Sequence, residues 1–319
     1  MKMMNKKNKL IIIFGPTASG KTKLAVKTAY ELDGEIISAD SRQVYKYMDI
    51  SSGKDLKEYK NKNKKICHYC IDLIHPNTKF NLKKYQRHAF AALKNIHNKN
   101  KTAILCGGTG LYIESVINEK YFLKEEKIDQ ERRKVLNNKT KEALQDILKK
   151  ENIKIYNSLN NSDKNNPRRL IRHIEKSENK LLETRKDYSK ILNSFEIKKI
   201  GVEISKEKLE KNIEKRTESR FKEGMMEEIW NLHFLYKVSW KRLKEFGLEC
   251  QIISEFITNY LYKQYKIDKK AIEIKKDHLF IYDIVKNDQN FKKMKEDLIT
   301  KTKQYAKKQN NWNKKYLEN

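Results

Sequence analysis

The sequence predicts an α/β fold: a P-loop parallel sheet flanked by helices, with an inserted helical domain. Three observations predict it. The apolar run Leu10-Ile11-Ile12-Ile13-Phe14 leads straight into Gly15-Pro16-Thr17-Ala18-Ser19-Gly20-Lys21-Thr22, a complete G-x-x-x-x-G-K-[ST] loop between a strand and a helix. Further short apolar strands alternate with helical patterns, the signature of a parallel sheet. A charged, glycine-free stretch with helical periodicity then interrupts the alternation at residues 119–199. The core domain is therefore expected over residues 1–118 and 200–319, and the helical insertion over 119–199.

The elements follow in order. Residues 10–14 read as a buried strand and Lys21 to Leu32 as the helix after it. Glu35 to Ala39 form a second strand that ends at Asp40. Lys79 to His97 carry Phe80, Tyr85, Phe90 and Leu93 at helical spacing. Thr102 to Cys106 form a third strand, ending in Gly107-Gly108-Thr109-Gly110. Ile200-Gly201-Val202-Glu203-Ile204 returns to the sheet as a strand. Glu207 to Tyr236 is helical, broken or capped near Gly224, and Phe291 to Lys315 is a lysine-rich helical tail.

In the loop, successive backbone N–H groups at a helix N-terminus favour an anion. Gly15 and Gly20 let the chain turn, Lys21 reaches terminal phosphate oxygens, and the Thr22 hydroxyl suits Mg²⁺. Ligands of parallel sheets sit at the carboxyl ends of strands. Gly15, Asp40 and Thr109 all lie at such ends, so one crevice is expected to gather them.

The chain has 319 residues, with 71 Lys+Arg against 42 Asp+Glu and a formal net charge of +29. That balance favours polyanions, nucleic acid first. The bias towards Lys and Asn also fits an AT-rich coding sequence, so charge supports nucleic-acid binding without establishing it. Cys67-His68-Tyr69-Cys70 has C-x-x-C spacing but no second pair at zinc-ribbon distance, and ordinary thiols are expected. The basic start runs into a short apolar strand and the phosphate loop, which is no signal peptide. No apolar stretch approaches a membrane span, and a cytoplasmic monomer is expected.

Four segments carry a family resemblance: Gly15–Thr22; Ile37-Ser38-Ala39-Asp40-Ser41-Arg42-Gln43-Val44-Tyr45-Lys46-Tyr47-Met48-Asp49-Ile50; Gly107-Gly108-Thr109-Gly110-Leu111-Tyr112; and Gln304-Tyr305-Ala306-Lys307-Lys308-Gln309-Asn310-Asn311-Trp312. Together they resemble the bacterial tRNA dimethylallyltransferases, also called tRNA isopentenyltransferases, over nearly the whole chain. The resemblance implies transfer of a dimethylallyl group from dimethylallyl diphosphate to N6 of the adenosine 3′ of the anticodon, with Mg²⁺ as cofactor. It implies Asp40 as general base, Thr109 on the bridging oxygen, and the loop residues with Arg216 on the diphosphate. It also implies that tRNA contacts come from Asp40, Ser41, Arg42 and Gln43, from Arg168, Arg169 and Arg172, and from Lys244, Gly247 and Glu249. The insertion would then clamp the anticodon stem-loop, and the target base would be extruded to reach the site.

Departures from the family pattern are local. Lysines replace two tail arginines, which keeps charge but loses the bidentate fork. Arg220 stands where the family usually has Met, and Leu248 where it has Tyr. Glu249 falls one place before the family's Glu, whose position holds Cys250. About 25 extra residues, judged by the family's usual spacing, lie between Glu249 and Thr302, and Phe280-Ile281-Tyr282 is a candidate for the family's last strand. The competing readings are a P-loop kinase of a nucleotide or small metabolite, with Arg168, Arg169 and Arg172 over the donor phosphates, and a non-catalytic RNA-binding protein.

Overall fold

The computed structural model describes residues 8–61, 64–122, 129–178, 188–264 and 280–317. The basic start before Asn8 and part of the extra segment lie outside them. The chain divides into two compact units, one within Met1–Phe122 and Tyr188–Asn319, the other within Leu123–Asp187.

The larger unit is built on five parallel strands: β1 (Asn8–Phe14), β2 (Gly34–Ser38), β3 (His68–Tyr69), β4 (Thr102–Gly107) and β5 (Phe195–Gly201), in the order β3-β2-β4-β1-β5. Alternate residues of the inner strands enter two different cores. Leu10, Ile12, Phe14, Ile37, Ala103 and Leu105 face one side, and Ile11, Ile13, Ile36, Ile104 and Cys106 the other. Burial on both faces explains why these strands read as unbroken apolar runs. Helix α1 (Lys21–Glu31) covers one face with Ala25, Val26 and Ala29. Helices α2 (Leu82–Asn98) and α3 (Gly110–Ile117) cover the other with Tyr85, Phe90, Leu93 and Ile113.

Two expectations are corrected. The returning strand is Phe195–Gly201, pairing Ile200 with Ile13 and Gly201 with Phe14, and the chain leaves it before Ile204. Phe280-Ile281-Tyr282 opens the helix Phe280–Val285 and adds no strand, because Ile281 and Val285, four apart, turn one face into a helical core.

That core lies among α4 (Lys206–Lys222), α5 (Met225–Phe234), α6 (Trp240–Leu243), α7 (Leu248–Phe256) and the tail helix α8 (Gln289–Leu317). Trp230, Phe221, Ile253 and Phe291 fill it, and Val44, Tyr45 and Met48 of the segment after β2 dock into it. Gly224, at φ +99, separates α4 from α5. Glu228 of α5 then caps the short helix Asp49–Ser52. Its carboxylate accepts the N–H groups of Asp49, Ile50 and Ser51 at 2.7, 2.6 and 2.9 Å, and the Ser51 hydroxyl at 2.6 Å. Burial pushes the Glu228 carboxyl upward in spite of these donors. Glu228→Ala strands three helix N–H groups and is expected to cost about 3 kcal/mol, measurable by urea denaturation; a loss under ~0.5 kcal/mol would contradict the capping role.

The smaller unit is helical. Leu136, Leu144, Leu148, Leu170 and Ile174 form its core, and the helix Pro167–Glu178 carries Arg168, Arg169 and Arg172. Arg169 pairs with Asp163. The buried Glu175 carboxylate is held by Arg133, from the helix Gln130–Asn137, through two guanidinium nitrogens. Glu175 thereby links two helices of this unit.

Candidate active site

The phosphate loop connects β1 to α1 at the carboxyl edge of the sheet. Gly20 takes φ +85 as the residue before α1, and Ala18 adopts φ +62. A network from distant helices braces the loop. Gln309 of α8 accepts the Thr17 N–H at 2.8 Å and donates to the Gly108 carbonyl at 2.9 Å, tying the loop to the turn after β4. Asn212 of α4 donates to the Ala18 carbonyl at 3.1 Å, and Arg216, one turn on, donates to the Thr17 hydroxyl. Lys21 donates to the Pro16 carbonyl at 3.1 Å.

Asp40 and Thr109 stand beside this loop because their strands are neighbours. β2 and β4 pair Ser38 with Cys106, and the Thr109 N–H donates to the Ala39 carbonyl at 3.3 Å. The backbones approach so closely that a Cβ on Gly107 would overlap the Ala39 carbonyl, so only glycine fits. Asp40 Oδ1 accepts the Arg42 N–H at 2.8 Å, and Thr109 Oγ1 accepts the Ser41 N–H at 3.4 Å.

The cleft is lined by Thr17, Lys21, Thr22, Asp40, Ser41, Arg42, Gln43, Thr109, Arg216, Arg220, Glu249, Tyr305 and Gln309, with Asp55 and Tyr59 at its side. It holds about 60 Å³ of free space, and a wider groove of about 800 Å³ along α4 shares Lys21, Thr22, Arg216 and Arg220 with it. The cleft gathers the cations Lys21, Arg42, Arg216 and Arg220 with the carboxylates Asp40, Asp55 and Glu249. Burial, and then the neighbouring Arg220, push Arg216 down to about 9. Burial likewise lowers Lys21, with Arg216 adding to it. An arginine keeps its proton in a folded protein, so the downward push on Arg216 reflects first the cost of burying its charge, with Glu249, Asp55 and Asp40 acting against it. Ser19 Oγ and Arg220 Nε are buried without a hydrogen-bond partner. Lys21, Arg216 and Arg220 all line the cleft, and a bound anion there gains charge-assisted hydrogen bonds from such cations.

Glu249 belongs to this site, despite its offset in sequence. It accepts from Arg42 at 3.1 Å and faces Arg220 at 3.6 Å. The Arg42 guanidinium also lies 5.6 Å from the centre of the Tyr305 ring. Cys250, the position that holds the family's Glu, is buried instead, and burial pushes its thiol up to about 12. Gly247 is required here, because its φ of +117 disfavours other residues and a Cβ would meet the Arg42 guanidinium.

Some expected residues sit elsewhere or are already engaged. Gln43 spends its amide inside the protein, accepting from the Ser38 hydroxyl at 2.7 Å and donating to the Gly53 carbonyl at 3.0 Å. Lys244 ends α6 and does not line the cleft. Arg168, Arg169 and Arg172 belong to the smaller unit. Sequence reasoning underrated Arg220, Gln309 and Asp55. Arg220 follows Arg216 by one helical turn, which puts both on one face and was the available signal; nothing local marks Asp55. Among the described residues no three His, Cys, Asp or Glu side chains gather to hold a metal ion, and the C-x-x-C pair splits into exposed Cys67 and buried Cys70.

The IPP transferase family model matches residues 43–316. The chain belongs to this family. Its match begins at Gln43, just after Asp40, and runs through α8. Within the family, the chain is 38% identical over 252 residues to tRNA dimethylallyltransferase 2 of Shewanella sediminis, covering 79% of this chain and 80% of that one. It is 37% identical over 270 residues to tRNA dimethylallyltransferase 1 of Parabacteroides distasonis, covering 84% and 85%. Among solved structures it resembles the tRNA isopentenylpyrophosphate transferase of Bacillus halodurans, with a TM-score of 0.58, 26% identity and coverage of 96% and 86%.

Proposed function

We propose that this chain transfers a dimethylallyl group from dimethylallyl diphosphate to N6 of the adenosine 3′ of the anticodon in tRNA, releasing diphosphate. The observation that carries this reading is one cleft lined by Asp40, Thr109 and the cations Lys21 and Arg216. Adenine N6 is a weak nucleophile, since its lone pair is delocalised into the ring. A carboxylate that holds the amine and takes its proton makes it competent, and Asp40 is that group. The N6–C bond forms, the C–O bond to diphosphate breaks, and the N6 proton passes to Asp40. Lys21, Arg216 and the loop N–H groups face the charge that builds on the leaving diphosphate, while Thr109 donates its hydroxyl to the bridging oxygen.

The residues present fit Mg²⁺. Thr22 lines the cleft with Asp40 and Asp55, all hard oxygen donors, and Mg²⁺ is commonly bound by one or two protein oxygens plus phosphates and waters. Thr22 would hold it, and when bound the ion supplies further positive charge to the diphosphate. Among the described residues no helix is long and apolar enough to cross a membrane; action as a cytoplasmic monomer belongs to the proposal.

The anticodon stem-loop is the expected RNA partner of Ser41 and Arg42, and Arg168, Arg169 and Arg172 of the smaller unit are separate candidate tRNA contacts. A kinase reading is not favoured, since the relatives of known name are tRNA dimethylallyltransferases. A nucleoside digest of tRNA incubated with the protein, dimethylallyl diphosphate and Mg²⁺ tests the proposal. N6-dimethylallyladenosine is expected at the position 3′ of the anticodon; unmodified adenosine there would contradict it.

A further inference from the structure

Three segments of the larger unit meet beside the cleft-forming loop. Tyr45 bridges to Ile74, the Lys46 N–H donates to the Ile74 carbonyl at 2.9 Å, and Asn77 donates to the Lys237 carbonyl at 3.2 Å. Arg242 completes the junction by donating to the Pro76 carbonyl at 3.2 Å and the Tyr45 hydroxyl at 3.3 Å.

On this junction Tyr47 lies flat on Tyr236, with ring centres 3.9 Å apart and planes 9° apart, and His75 meets both rings edge-on. Tyr236 packs against the helical core, whereas Tyr47 remains 42% exposed. Tyr47 holds φ +65 and Lys237 φ +56, a region that bulky residues rarely adopt. Such strain is found at ligand clamps more often than elsewhere.

The border of the ring pair is rich in lysine, with Asp49 and Glu245, the latter paired to Arg242 at 2.8 Å, among the nearby acids in sequence. Residues 44–47, 75–80 and 235–242 contain no Asp or Glu. They contribute Lys46, Lys79, Lys237 and Lys241, all exposed. An exposed stacked ring inside a lysine border complements a nucleobase and its flanking phosphates.

We propose that Tyr47, backed by Tyr236, is a stacking platform for an unpaired nucleotide of the RNA substrate, with the four lysines on the adjoining phosphates. This rests on the tRNA reading above and adds a contact outside the cleft. Glycine suits the positive φ at position 47, so Tyr47→Gly removes the ring while easing the backbone.

The test measures tRNA binding by fluorescence anisotropy across a salt series, together with prenyl transfer at saturating tRNA. Tyr47→Gly is expected to raise Kd roughly 5- to 150-fold, the range for losing one aromatic–base stack, with the rate at saturation unchanged. Lys46→Gln with Lys237→Gln is expected to flatten the salt dependence of log Kd by roughly one to two units of slope, at about 0.7 per phosphate contact on a single strand. Wild-type Kd in Tyr47→Gly, alongside normal transfer by the parent protein, would overturn the platform alone. Absent transfer by the parent would instead overturn the functional reading. A Tyr47→Gly effect on self-association with no change in Kd would mark the rings as a protein contact and also overturn the proposal.

Discussion

Asp40→Ala is expected to lower prenyl transfer by roughly 10²-fold or more, the range for losing a general base, while tRNA affinity changes far less. The argument rests on where Asp40 sits. It follows β2 at the strand's carboxyl end, one residue beyond the Ala39 carbonyl that Thr109 engages, and it lines the same cleft as Lys21. One carboxylate oxygen takes the Arg42 N–H, which fixes the group in place; the carboxylate retains capacity to accept the amine proton. Alanine keeps the cleft and its cations but leaves N6 without a proton acceptor. Single-turnover transfer with saturating tRNA and donor separates this loss from binding. Unchanged turnover would remove Asp40 from its role.

Lys21→Ala carries the second large effect, a fall in kcat/KM of roughly 10²- to 10³-fold, comparable to losing one preorganised donor to developing negative charge. Lys21 is half-buried in a cleft that it shares with Arg216. Its bond to the Pro16 carbonyl holds it at the loop, and a bound diphosphate offers it a stronger, charge-assisted partner. The effect therefore falls on the donor side. Kinetics at varied dimethylallyl diphosphate should register it, with tRNA Kd nearly unchanged. A mutant that loses tRNA affinity and keeps its donor kinetics would place Lys21 on the RNA instead.

How much of this was legible in the sequence depends on whether the determining contacts are local. The strand–loop–helix at Gly15–Thr22 was legible because turn, anion cradle and buried strand are written in consecutive residues. The positions of Asp40 and Thr109 at strand ends were legible for the same reason. The last strand was misplaced because Phe195–Gly201 is an edge strand whose exposed lysines hide its pattern, a usual guard against edge pairing. The apolar residues at 200–204 drew the assignment instead. Phe280–Val285 illustrates the ambiguity of short apolar runs, which fit a strand or a buried helix turn equally.

The least legible feature was Glu249. Its partner Arg42 lies 207 residues away in the chain, and aligning the family pattern without a gap put Cys250 in its place. Only the approach of α7 to the segment after β2 reveals the pair. Gln309 is similar. Its motif was visible in the tail, but its bridge from Thr17 to Gly108 exists only once α8 has crossed back to the sheet edge.

The central claim is that the phosphate loop holds the diphosphate of an isoprenoid donor for attack by tRNA. It is tested most directly by mixing the protein with Mg²⁺, labelled dimethylallyl diphosphate and a tRNA that carries adenosine 3′ of its anticodon. Label is expected to enter the RNA, with diphosphate released in equal amount. RNA that stays unlabelled, while the protein instead turns over ATP on a small molecule, would contradict the account.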